Sequence, residues 1–143
     1  EHTSAIRLGW GGRLKSQLIR GEEYAPYFFE DDGLTIRPEF TCLPPPFRIP
    51  SPEQVPYAAR SGLIAQRRTI FAFAGDRANT TPMTSMMNTL FLREHNRICG
   101  VLQTKYPQWN DERLFQTARN ITIVMLIQRR ITHSIPSLSS FTR

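Results

Sequence analysis

The stretch LFLREHNR, Leu90 to Arg97, sets a histidine between two arginines, beside a glutamate and an asparagine, inside an otherwise apolar run. Residues of these types can bind a metal ion, move a proton, or satisfy one another inside a core. A metal reading of His95 needs further ligands at helical spacing. No HxxxH or HxxE pair surrounds it, and His2 and His133 stand near the two chain ends in poorly patterned sequence. The buried structural reading is therefore the stronger one for His95. Glu94 beside it is expected to pair with Arg119 or with a cation elsewhere, because an unpaired polar group in a core costs about 1–3 kcal/mol. The general-base reading of Glu94 is the weaker alternative.

The element that must carry these residues is a helix. Thr81 followed by Pro82 is an N-cap and first-turn pair, and the helix can run from 81 to 105, ahead of Pro107. At 100° per residue Met83, Met87, Leu90, Phe91, Leu92, Ile98, Cys99, Val101 and Leu102 fill a wide apolar arc that also takes in Glu94 and His95. Arg93, Asn96 and Arg97 fall on the polar arc with Ser85, Gln103 and Thr104. So wide an arc predicts a helix buried on most sides. A second helix is predicted over 111–128, with Asn110 as N-cap and Asp111 and Glu112 complementing the dipole in the first turn. Its core stripe is Leu114, Ala118, Ile121 and Met125, and by ITIVMLI it is apolar all round. After Gln128 the helical period is lost in RRITHSIPSLSSFTR, so residues 129–143 are expected to form an atypical tail.

Ahead of these helices, AIRLGWGGRLKSQLI carries two short β-prone segments around Gly9, Gly11 and Gly12, which predicts a β-hairpin over 5–19. Residues 22–56 hold eight of the eleven prolines, and this zone is expected to be an extended segment wrapped over a larger body. It is long for a loop in a compact domain. Two helices and a hairpin cannot bury this much apolar surface between them. The fold class is mainly α, with residues 1–143 forming part of a larger helical domain.

Composition is that of a globular protein, with 40% hydrophobic and 21% charged residues. The 18 Lys+Arg against 12 Asp+Glu give +6, but the basic residues are interleaved with acids rather than gathered in a run. A generally basic surface explains that better than a nucleic-acid site, and no nucleic-acid partner is expected. Cys42 and Cys99 have no CxxC or CxxH spacing, so two separate free thiols are expected. No apolar run is long enough to span a bilayer, and no segment of these 143 residues is expected to act as a signal peptide. The chain opens on Glu1 rather than Met, which is expected of a section of a longer protein whose compartment is unknown.

The segment GDRANTTPMTSMMNTLFLREHNRICGVLQTKYPQWNDERLFQTAR, Gly75 to Arg119, resembles the haem peroxidase–cyclooxygenase superfamily, the animal-type haem peroxidases. The match joins the LREHNR helix to the P-x-W-x-D-E-R-L-F-Q segment and the A-R after it. IRLGWGGRLKSQLIRGEEYAPY and the ICGVL after LREHNR are closer to the cyclooxygenase-like branch. The resemblance covers about residues 5 to 127. It implies an almost wholly helical domain around haem b, peroxide cleavage at the haem, and, in the dioxygenase branches, tyrosyl-radical oxygenation of a fatty acid. Burial and exclusion of water suit such chemistry.

The resemblance also says which roles fall here. It places the proximal histidine and the radical tyrosine beyond Arg143 and the distal histidine before Glu1; His95 matches neither haem histidine, and Tyr24, Tyr27, Tyr57 and Tyr106 do not match the radical tyrosine. Counted back from LREHNR, Arg77 meets the distal arginine of myeloperoxidase-type enzymes, and Thr80 and Thr81 meet two positions that bond covalently to haem there. Threonine forms neither link, so the haem should be non-covalent at this edge. Counted forward from Gly75-Asp76, the arginine position meets Ala78 instead. The set Arg77, Thr80 and Thr81 is thus the expected distal haem wall, with Arg77 as the catalytic candidate and no metal ligand in the chain.

The 129–143 tail departs from the family; a truncated or frame-altered end would account for it. The resulting expectation is an inactive section of a haem-dependent peroxidase or fatty-acid dioxygenase. Its parent would use a fatty acid or peroxide and could associate peripherally with membranes. The alternatives are a hydrogen-peroxide-dependent peroxidase of small donors or halide, and a basic non-catalytic interaction module.

Overall fold

The computed structural model describes residues 2–45, 50–75, 77–79 and 81–134. The order is a short helix α1 (His2–Ile6), strands β1 (Gln17–Ile19) and β2 (Glu22–Tyr24), short helices α2 (Val55–Arg60) and α3 (Leu63–Arg68), then the long helices α4 (Pro82–Lys105) and α5 (Asp111–Ser134). The fold is mainly α with one antiparallel hairpin near its start.

The hairpin is not over 5–19. It pairs Gln17 with Tyr24, Leu18 with Glu23 and Ile19 with Glu22, around Arg20 and Gly21, whose φ values are 53° and 84°. Two consecutive positive φ angles match the twist of a tight hairpin, which is why the reversal falls there. Residues 2–6 are helical, and the Gly9–Gly12 reversal is a loop closed by a single antiparallel bridge between Arg7 and Leu14. Backbone bonds from Leu8 to Arg13 and from Lys15 to Ile6 flank that bridge, while the Gly12 and Leu14 backbone groups turn to the long helices.

Residues 22–56 are not uniformly extended either. They include β2, single 3-10 turns at Pro38–Phe40 and Pro52–Gln54, and the start of α2, where Pro56 is tolerated in the first turn because no intrahelical bond needs its nitrogen. Phe28 and Phe29 from this zone pack with Phe40, Leu43, Ala72 and Ala5 in one buried cluster. Bridges from Phe29 to Ile36 and from Tyr27 to Phe71 hold it closed. Aromatic burial, which the proline count conceals, is what orders the segment.

Helix α4 starts where Thr81 accepts a hydrogen bond from the Thr84 amide at 3.1 Å. It ends at Tyr106, whose ring stacks on Trp109 with centroids 4.3 Å apart. Asn110 then caps α5, its Oδ1 accepting from the Arg113 amide at 2.9 Å. The helix continues to Ser134, past the predicted stop at 128, because losing an amphipathic period does not stop propagation. The expected tail's residues 135–143 lie outside the described residues.

The two long helices pack through Ile98, Cys99 and Ala118, with Leu102 alongside. Neither is buried on most sides. Met83, Met87, Leu90 and Val101 of α4 are exposed, as are Ile121 and Met125 of the expected α5 stripe. Within this chain the helices have one packed side each.

What holds the N-terminal loop to this pair is the peptide of Gly12. Its amide donates to Asp111 Oδ1 at 2.8 Å, and its carbonyl faces the His95 ring nitrogen Nε2 at 2.9 Å and Cys99 Sγ at 3.0 Å. A Cβ built on Gly12 (φ +69°) would stand 2.5 Å from the Phe115 nitrogen, so the loop sits against α5 at a distance only glycine permits. Gly12→Ala is expected to lower unfolding stability by about 2–4 kcal/mol, combining a left-handed backbone with a clash against main chain. Gly21→Ala, also at positive φ but with open space around it, should cost only about 1 kcal/mol. Urea unfolding of the two variants checks the contrast.

Candidate functional site

Each polar member of the LREHNR motif has a partner outside the apolar run. Arg93 donates to the Glu23 carbonyl, pairs with Glu22 at 3.0 Å and lies over the Tyr24 ring, 4.8 Å from its centroid. Glu94 pairs with Arg97 one turn on, through two bonds of 2.8 Å, and not with Arg119. The expectation of a core glutamate fails because the i,i+3 geometry offers a cation at the helix surface. Asn96, expected on the polar arc, is buried. Its Oδ1 accepts the Leu14 amide at 2.8 Å, and its Nδ2 donates to the Leu14 carbonyl at 3.1 Å and to Glu23 Oε1 at 2.7 Å. A side-chain amide presents one acceptor and two donors, and here all three are used. Nothing in a helical wheel shows a strand-like backbone arriving from more than 80 positions away.

His95 is 4% exposed, with its ring 5.3 Å from that of Phe115. A carbonyl only accepts, so Nε2 carries the proton in the bond to Gly12. Burial lowers the His95 pKa, the Gly12 bond partly offsets that, and the Arg7 charge lowers it further. Arg7 itself bonds to Asp111 and Glu112, both at 2.6 Å, and lies over Phe115. The motif therefore acts as a clamp on main chain and on the N-terminal loop.

Between the clamp and the approach to α4 lies a cleft of about 380 Å³. Its walls are mostly apolar, with Phe73, Ala74, Gly75 and Ala78 on one side and Phe91, Leu92, His95, Thr122 and Ile123 on the helices; Lys15 and Arg119 supply its charges. The approach is tied down by Asn88, whose amide donates to the Ala78 carbonyl at 3.0 Å, and by Asn79, which donates to the Phe71 carbonyl at 2.9 Å.

Of the expected site residues, Arg77 and Thr81 do not line this cleft. Arg77 is exposed, whereas Ala78 lines the wall. Thr81 is exposed and engaged as the α4 cap, its hydroxyl also 2.9 Å from that of Thr84. Thr80 lies outside the described residues. Asn88 was missed at the sequence level, since no motif separates a cleft-lining amide from an ordinary one, and Ala78 entered there only as the alternative register of the arginine position.

An iron-porphyrin would need an imidazole nitrogen turned toward such a cleft. His95 reaches the cleft, but its Nε2 is held at the Gly12 carbonyl. Among the described residues no three His, Cys, Asp or Glu side chains stand close enough to hold a metal ion. His95 thus gives its Nε2 to main chain and not to a ligand in the cleft.

Both cysteines are free thiols; Cys42 is exposed and Cys99 buried, with burial pushing Cys99 up to about 11. A thiol reagent at neutral pH should modify Cys42 alone in the native protein and both residues in denaturant, as read by mass spectrometry. The depressed His95 pKa has a definite sign. Below its unfolded value, near 6.5, the unfolded chain binds a proton that the folded chain does not, so stability falls as pH drops from there toward the folded value. Unfolding free energy should decline between about pH 7 and pH 5.5, a range above the Asp and Glu titrations. His95→Gln should flatten that decline in urea melts at the two pH values.

Comparison with known proteins gives the frame for this geometry. The family model described as animal haem peroxidase matches residues 2–136. Prostaglandin G/H synthase 2 of Cavia porcellus is 34% identical over 136 residues, 95% of this chain and 18% of the relative. Prostaglandin G/H synthase 1 of Canis lupus familiaris is 32% identical over 95% of this chain and 19% of its own length. In structure, peroxidase A from Dictyostelium discoideum superposes with a TM-score of 0.55 at 21% identity, over 84% of this chain and 19% of that one, a likeness of fold. The chain spans about a fifth of the length of the curated relatives it matches. With its clamp motif, its helix pair and these relatives, the chain belongs to the animal haem peroxidase family, on the cyclooxygenase-like side.

Proposed function

We propose that this chain is one structural section of a haem-dependent peroxidase and fatty-acid dioxygenase, and that it performs no redox chemistry alone. The observation that carries the reading is the engagement of His95: the motif histidine is bonded to Gly12 inside a clamp, while the family and its relatives are haem oxidoreductases. In such a parent the haem supplies peroxide cleavage and the oxidising equivalent for fatty-acid oxygenation.

The contribution of this chain is to shape and exclude. Phe73, Ala74, Gly75 and Ala78 and the Phe91, Leu92 and Ile123 side chains form an apolar wall that would keep water from a buried reaction centre. Asn88 holds the Ala78 carbonyl and so sets the position of that wall. Arg77, Thr80 and Thr81 remain the residues we assign to the distal haem edge of the parent, with Arg77 the group that would polarise a peroxide O–O bond. Arg77 also favours a second reading, a hydrogen-peroxide-dependent peroxidase of small donors, because the arginine aligns with the myeloperoxidase-type position when counted back from LREHNR.

Titration of the 143-residue chain with haem is expected to give no Soret band characteristic of histidine ligation. A stoichiometric band that disappears in His95→Ala would sink the structural reading of His95. For the parent, oxygen uptake with a polyunsaturated fatty acid supports the dioxygenase. Donor oxidation without such uptake, abolished by Arg77→Ala, supports the plain peroxidase instead.

A further inference from the structure

We propose that residues 7–14 form an acid-released latch: when His95 takes up a second proton, this loop lifts from the α4–α5 pair and bares Cys99, while the two helices stay packed. The latch is independent of the haem reading. Its loop is closed on itself by the Arg7–Leu14 bridge and by backbone bonds from Leu8 to Arg13 and from Lys15 to Ile6, so it can move as one piece. None of its large apolar side chains is fully buried: Leu8 is 39% and Trp10 57% exposed, and Leu14 is half-buried. What fastens it to the helices is chiefly polar: Gly12 on Asp111, His95 and Cys99, Leu14 on Asn96, and Arg7 on Asp111 and Glu112. On either side the packing is apolar. Ile98, Cys99, Leu102 and Ala118 hold α4 to α5, and Ala5 and Ile6 hold α1 in the cluster of Phe28, Phe29 and Phe40. A segment with few buried apolar contacts opens locally for less free energy than the whole fold.

The charges around His95 set the direction of the switch. Its Nε2 proton points at the Gly12 carbonyl in the closed loop, so a second proton goes to Nδ1 and makes a buried cation. Arg7, facing it from the loop, is a cation as well. The carboxylates of α5 on that side, Asp111 and Glu112, are already bonded to Arg7. Lys15 and Arg119 line the same cleft as His95, Cys99 beside it on α4 is held as a neutral thiol by burial, and the neighbouring Phe115 ring is uncharged. Among these groups no anion is left for the imidazolium. Lifting the loop lets water reach the ring and carries Arg7 away from it. The closed state therefore takes up this proton below the ordinary value of 6.5, and the open state at about that value. The open fraction grows as pH falls through that value, by at most about tenfold per pH unit.

Labelling of Cys99, slow at neutral pH, reads the opening. Its rate with 4,4′-dithiodipyridine, divided by that of the exposed Cys42 in the same molecules, should rise by between ~3-fold and about tenfold from pH 7 to pH 5.5. Below the unfolding transition the rate should be nearly independent of urea, because a loop exposes little surface. His95→Gln keeps a donor for the Gly12 carbonyl but does not titrate, and should hold the ratio constant across that range. In the unaltered chain, hydrogen exchange read by mass spectrometry should show residues 8–15 losing protection with the same pH dependence, while residues 98–104 and 114–119 keep theirs. A ratio flat with pH would overturn the proposal, as would a urea dependence equal to that of global unfolding. So would an onset only below about pH 4.5, where the carboxylates that hold Arg7 titrate in place of His95.

Discussion

The peptide group of Gly12 is the point on which this structure depends. A buried backbone N–H and C=O lose their water and must be given partners. Here the amide is taken by Asp111, at the start of α5, and the carbonyl by His95 and Cys99, on successive turns of α4. One peptide thereby holds three elements that are distant in sequence. Asn96 repeats the device two residues along, pairing with both backbone groups of Leu14 as a neighbouring strand would. The loop can come this close because residue 12 has no side chain and adopts a positive φ.

Seen from that peptide, the LREHNR motif is a set of side chains fitted to a backbone. The arginines, glutamate, histidine and asparagine that suggest a catalytic cluster are engaged in positioning: Arg93 on the hairpin, Glu94 with Arg97, His95 and Asn96 on the loop. Burial favours the neutral imidazole, and the Nε2 proton is directed at the Gly12 carbonyl, so that nitrogen is engaged with main chain. The clamp in turn shapes one side of the apolar cleft, and the chain that enters α4 shapes the other.

The same packing leaves the α4–α5 pair with two unlike sides. One meets the N-terminal loop and lines the cleft; the other carries exposed apolar side chains. Helices with so little polar surface are stabilised by what lies against them more than by intrinsic propensity. Leu114, Phe115 and Ala118 bury the first half of α5, while its exposed large apolar residues begin at Ile121.

The sequence by itself determined the two long helices, their caps and the family. Thr81-Pro82 and Asn110 start α4 and α5 where local hydrogen-bond geometry requires, and the absence of ligand spacing around His95 marked it as structural. Those features are local, so neighbouring residues decide them. Only the tertiary structure decided the rest: the hairpin around Arg20-Gly21 rather than the earlier glycines, the order that aromatic burial brings to the proline-rich zone, and the burial of Asn96. It also turned Ala78 rather than Arg77 into the cleft wall. Each of these rests on groups brought together across long stretches of chain. The pairing of a side chain with a distant peptide leaves no period and no spacing in the sequence to read.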